Sequence, residues 1–289
     1  MSDVLVACPE LVRACTAIAL ARLLVPDPGA GWTIATMVPR TASPNPLASR
    51  AASKTRGLLR LIAERDGAPE HSELRVLVGA GSACEWGAFC RAEHPGIAVI
   101  GPARRRSRPS RLGAQLAARG GLTVATVPYH GAPSRGIRRV GVLFSAASDS
   151  EPALWHAAHL AAAHYGELRI LAHPGGGLRR AAVARTRRSR DLELQRVGAE
   201  LSAACERLPS MPTASAVFAC EPLLPVVADE VSRGLDVLVV PVAGRRARLR
   251  TARAIAHLTA VAGCAVVTVP ARPAGGEAVP TDDRRAATG

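Results

Sequence analysis

Two segments constrain this chain more than any others: LTVATVP at 122–128 and AVVTVP at 265–270. Each is an apolar run that stops at a proline, and each closes a series of apolar runs separated by helical patterns. In the first series the strand-like runs are 3–8 (DVLVAC), 32–38 (WTIATMV), 74–78 (LRVLV), 97–100 (IAVI) and 122–127. In the second they are 140–144 (VGVLF), 168–172 (LRILA), 214–219 (ASAVFA), 237–240 (VLVV) and 265–269. The order therefore restarts after about 140 residues, and self-similarity at a fixed spacing reports a repeated structural unit. Runs apolar on both faces, alternating with helices, predict parallel strands covered on both sides.

Between the strands, helices are expected over 10–25, 47–65, 82–93 and 110–119, then over 150–165, 191–207 and 222–233. An alanine-rich helix precedes the last strand. Ser82 is placed to cap the helix that it opens. In 47–65, Leu58, Leu59, Leu61 and Ile62 are expected on the inner face. The fold class read from this pattern is α/β, with two tandem, doubly wound, five-stranded parallel-sheet domains. The first spans 1–130 and the second 137–271; the turn-rich YHGAPSRG at 129–136 links them, and 272–289 is expected to be a disordered tail.

Composition narrows the setting. The formal charge is +14, but Lys54 is the only lysine, so the excess is an arginine bias. Such a bias is weaker evidence for nucleic-acid binding than the charge alone, although a polyanion partner stays open. Seven cysteines without CxxC spacing, most of them in apolar runs, predict buried free thiols in a reducing compartment. The N-terminus lacks a basic n-region, and Arg13 and Arg22 interrupt its apolar helix, so no signal peptide is read. The uncharged run 254–271 contains His257, Gly263 and Pro270 and reads as helix, turn and strand, not as a membrane span. A cytoplasmic protein is expected.

The second half carries RRVGVLF (138–144), SEPALWHAAHLAA (150–162), ELRILAH (167–173) and GLDVLVVP (234–241), then a helix and AVVTVP. In their order and spacing these segments resemble the universal stress protein family, and the first half does so more faintly. The resemblance implies the adenine nucleotide alpha hydrolase-like fold, with halves that pack through their last strands as a pseudo-dimer. It also implies ATP as cofactor, held by a loop of the form G-x2-G-x9-G-[S/T] after strand four, with an aspartate ending strand one. Glycines there let backbone N–H groups approach phosphates, and the next helix N-terminus favours negative charge.

Here that pattern decays. The second-half positions fall on Pro241, Gly244, Ala254 and Ile255, and those of the first half on Gly101, Arg104, Ala114 and Gln115, with Gly113 one place early. The aspartate position falls on Ser145 in one half and near Cys8 in the other, and Ala172 closes strand two beside the implied site. Arginine replaces glycine, as Arg104, Arg105 and Arg106 in the first loop and Arg245, Arg246 and Arg248 in the second. Both loops follow strand four, where doubly wound sheets place ligands. A side-chain anion site for a nucleotide or other phosphorylated metabolite, an acidic protein or RNA backbone stands beside a plain solvated basic loop. A third arginine cluster at 179–190 lacks interleaved aromatics, so base stacking is unsupported.

Other motifs are weaker. His156, His159 and His164 share one helix without a carboxylate or thiol at ligand spacing. GAGSAC at 79–84 lacks the third glycine of a dinucleotide fingerprint; Gly79 and Gly81 are secondary candidates because the comparable family turn lies beside the nucleotide. No GxSxG, HExxH or GxxxxGK[ST] occurs. The resulting expectation is a non-enzymatic regulatory or stress-response protein with a degenerate nucleotide site. The alternatives are an ATP/ADP switch using the arginines and an RNA-associated protein. A protein partner and a homodimer both stay open.

Overall fold

The computed structural model describes residues 3–39, 46–101, 110–128, 136–145, 150–173, 187–208, 213–218, 223–242, 258 and 263–271. The first half runs β1 (Val4–Cys8), a 3-10 turn (Leu11–Arg13), α1 (Ala14–Leu24), β2 (Trp32–Val38), α2 (Pro46–Arg65), β3 (Glu73–Val78), α3 (Ala83–Glu93), β4 (Ile97–Ile100), α4 (Ser110–Gly120) and β5 (Thr123–Thr126). The second runs β6 (Arg139–Ser145), α5 (Glu151–Ala163), β7 (Glu167–His173), α6 (Arg187–Glu206), β8 (Ala214–Phe218), α7 (Leu223–Ser232), β9 (Val237–Val242) and β10 (Ala265–Pro270). All ten expected strands are present, most with ends moved by a residue or two. The expected tail 272–289 and most of the linker lie outside the described residues.

The strands form one sheet in the order β3-β2-β1-β4-β5-β10-β9-β6-β7-β8. Read inward from either edge, the order is the same. Within each half every pairing is parallel; only β5 and β10 run antiparallel, with Val266 opposite Thr126 and Thr268 opposite Val124. The two five-stranded layers are thus fused edge to edge through their last strands. This join removes the two edges that would otherwise expose unpaired backbone.

Alternation persists even where a strand is buried throughout. In β1, Val4, Val6 and Cys8 face one apolar layer, while Leu5 and Ala7 face the other. The first layer receives α1, α2, α5 and α6, and the second receives α3, α4 and α7. Helices meet the sheet through small residues: α1 buries Ala14, Ala17 and Ala21, and α5 buries Ala153, Ala157, Ala158 and Ala161. The strands supply the bulk of the aliphatic volume.

Helix α2 departs from the sequence reading. Leu59 and Ala63 are its buried residues, whereas Leu58 and Leu61, expected inside, are 42% and 63% exposed. Leu58, Leu59, Leu61 and Ile62 cannot all share one face at 100° per residue; Leu59 took the inward position, with Ile62 half-buried against the core beside it. The thiols also divide: Cys8, Cys90 and Cys264 are buried, Cys15 and Cys205 are half-buried, and Cys84 is exposed, contrary to uniform burial. Cys220 lies outside the described residues.

Candidate functional site

An open parallel sheet opens a crevice at the carboxyl ends of its strands where the winding reverses. The reversal falls between β1 and β4 in the first half and between β6 and β9 in the second.

In the first half the ladder runs to the end of β4. Ala7 pairs with Ile100, and the next amide, that of Gly101, donates to the Ala7 carbonyl at 2.8 Å. Gly101 is itself buried, and a β-carbon there would touch Ala17 and the Ala7 carbonyl oxygen at 3.4 Å. Those are ordinary contact distances, so the site is closely packed against α1 and β1 without requiring a glycine. Beside it, Cys8 holds the aspartate position. Cys8 is fully buried, and burial, aided by the neighbouring Cys15, pushes its thiol up to about 12. It stays neutral, and its carbonyl accepts from Thr36 Oγ1 at 2.8 Å. Nothing at this position supplies negative charge for a metal or a ribose hydroxyl pair.

The helix after this crevice is also filled. Gly113 lies inside α4 and is buried against β5, where an added β-carbon would collide with Thr126 Oγ1. Arg104 lies outside the described residues.

The turn after β3 holds an internal anion. Ser82 and Glu85 form a capping box at the start of α3, as the S-x-x-E spacing of 82–85 signals. The Glu85 carboxylate accepts from Ala80 N at 3.1 Å, Ser82 N at 3.0 Å and Ser82 Oγ at 3.0 Å. The Gly81 amide is directed to Met37 Sδ at 3.1 Å. A β-carbon on Gly79 would meet Glu85 Oε1 at 2.8 Å. Gly79 therefore makes room for Glu85, Gly81 supplies the left-handed turn at φ 69°, and the amides that could greet a phosphate are already engaged.

The second half differs. The β6–β9 ladder ends at Val142–Val239, although β6 continues to Ser145 and β9 to Val242. Pro241 is inside β9, opposite Val269 of β10, and brings no amide donor. Ser145 is half-buried, and its amide donates to Ser150 Oγ at 3.1 Å, while Ser150 Oγ donates to the Ser145 carbonyl at 3.2 Å. Ala172 is wholly buried in the core on β7, one residue before His173, the register partner of Ser145. Gly244, Arg245, Arg246, Ala254 and Ile255 lie outside the described residues, as does most of the third arginine cluster.

The histidines do not converge. His156 is driven down to about 4 by burial and by the nearby His159, which itself stacks on Trp155 with ring centroids 5.9 Å apart. His164 reaches the other half, with Nε2 2.5 Å from the Leu23 carbonyl oxygen. Among the described residues no group of three histidine, cysteine or carboxylate side chains is placed to hold a metal, and no helix is long and apolar enough to cross a membrane. A separate cleft of about 850 Å³ follows α1 from Cys15 to Arg22 and ends near Trp32 and Asp66. From Cys15, the neighbour of Cys8, it reaches the amino ends of the strands.

Sheet, winding and paired crevices define a doubly wound α/β protein with its unit written twice. Solved structures that share this fold include universal stress proteins. A universal stress protein from Archaeoglobus fulgidus superposes with a TM-score of 0.62 at 11% identity, covering 93% of this chain and 97% of its own. A functionally unknown protein from Pseudomonas aeruginosa gives 0.58 at 11% identity, with 93% and 92% covered. Another protein from that organism, provisionally named a universal stress protein, gives 0.58 at 11% identity, with 93% of each chain covered. No family model and no curated protein matches the sequence. At this identity the likeness is one of fold, and the architecture expected from the sequence stands.

Proposed function

We propose that the chain is a regulatory, stress-response protein without catalytic chemistry, whose first-half nucleotide crevice has been closed by its own packing. The observation that carries this reading is the Glu85 carboxylate, which accepts from the Ala80 and Ser82 amides in the turn beside that crevice. A bound phosphate would meet like charge there instead of free donors. The neutral thiol of Cys8 and the spent amide of Gly101 support the same reading. Calorimetric titration of the full chain with ATP and ADP tests it: neither heat of binding nor hydrolysis is expected. Micromolar binding that survives Arg245→Ala and Arg246→Ala would refute it.

A second reading is favoured by the early end of the β6–β9 ladder, which leaves the carboxyl ends of those strands unpaired with each other. On that reading the second half takes a nucleotide through the arginines after β9, and binding is lost in the Arg245→Ala, Arg246→Ala variant. Mass spectrometry of denatured protein purified from cells, which reads any retained nucleotide, separates the two.

A further inference from the structure

Helix α2 is 20 residues long, yet the sheet takes up little of it. Its outward side presents Arg50, Lys54, Leu58 and Leu61 as one stripe, since steps of three and four residues stay on the same face. The stripe spans about 17 Å at the helical rise. Leu58 and Leu61 are exposed at its carboxyl-terminal end, with the exposed Glu64 one turn beyond, and no ion pair or hydrogen bond engages Arg50, Lys54, Arg56 or Arg60 among the described residues. Arg65, farther along, is already paired with Asp66 at 3.1 Å. Gly57 borders the leucines, and a β-carbon there would meet nothing within 4 Å. A mid-helix glycine costs helix stability, and nothing inside the chain uses the room it leaves.

We propose that this face docks an acidic amphipathic helix from a partner protein. Leu58 and Leu61 are three residues apart, the spacing of a helix–helix seam. Gly57 lets a partner backbone come close, and the cations at the border select carboxylates. A second copy of this chain would bring the same cations and be repelled. A planar anionic bilayer would be faced by only two unpaired cations, because Arg56 and Arg60 point well away from the stripe. RNA would find no aromatic platform. The surface is independent of both crevices.

The test uses the full chain and a synthetic three-heptad peptide with leucine at a and d and glutamate at e and g. The control peptide carries lysine at e and g. Fluorescence anisotropy should show binding of the acidic peptide alone. Affinity should fall at least tenfold in Leu58→Glu/Leu61→Glu, and also in Gly57→Leu, which favours the helix while filling the gap. Circular dichroism of both variants should match the parent, since the positions are exposed. Carbodiimide coupling should join a peptide glutamate to Lys54, whose amine is the only lysine amine in the chain. Equal binding of the two peptides, unchanged affinity in both variants, or variant-sensitive capture by phosphatidylserine vesicles without peptide binding would overturn the proposal.

Discussion

Gly113 of α4 lies directly against Thr126 of β5, so closely that a β-carbon would overlap Oγ1 and come within 3.4 Å of the threonine Cβ. A residue that sequence spacing offered as a phosphate-loop glycine is a packing glycine. Gly113→Ala is expected to destabilise the fold by about 1–3 kcal/mol through overpacking, despite the better helix propensity of alanine. Thr126→Ala should restore most of the loss. Urea denaturation of the two single variants and the double variant measures the coupling; additive effects would contradict the contact.

Gly57 is the counter-case. It is helical, exposed and untouched, so Gly57→Ala is expected to raise stability by about 0.5–1 kcal/mol. The same denaturation series reads it, and a loss of stability would show that α2 packs more tightly than described.

The halves are tied by Thr268 Oγ1, which donates to the Val124 carbonyl at 2.9 Å across the antiparallel join. Thr268→Val keeps the shape and removes the donor. The expected cost is about 1 kcal/mol, with an unchanged denaturant slope.

Thiol chemistry should follow burial. Cys84 is exposed, whereas burial pushes Cys8 and Cys264 up to about 12 and Cys90 up to about 11. In native protein at pH 8, iodoacetamide should label Cys84 well before these three, as peptide mass mapping would show. These raised values favour the neutral folded form. Their contribution is complete below the ordinary thiol range and declines as pH rises from about 9 toward 12.

His156 acts in the opposite pH range. Its imidazole, held at about 4 by burial, stays neutral in the fold while the unfolded chain takes up a proton near 6.5. The unfolded state therefore binds more protons between those values, and stability falls as pH drops from about 6.5 to about 4. Thermal melts across that window should show the decline, and His156→Gln should flatten it.

The sequence alone determined the strands, their parallel character within each half and the doubling of the unit. Uninterrupted apolar runs and a repeated order are local, one-dimensional signals of burial on two faces. The Ser82 cap was equally legible, whereas the reciprocal bond from Glu85 that completes the capping box emerged only in the structure. Only the tertiary structure decided that Leu58 and Leu61 turn outward, since neighbours on a helix compete for one inward direction and packing selects the winner. It also decided that Gly113 and Gly79 make room for the chain's own Thr126 and Glu85. A glycine in sequence marks only the absence of a side chain. What fills the vacated space depends on elements brought close by folding, through contacts that no local pattern encodes.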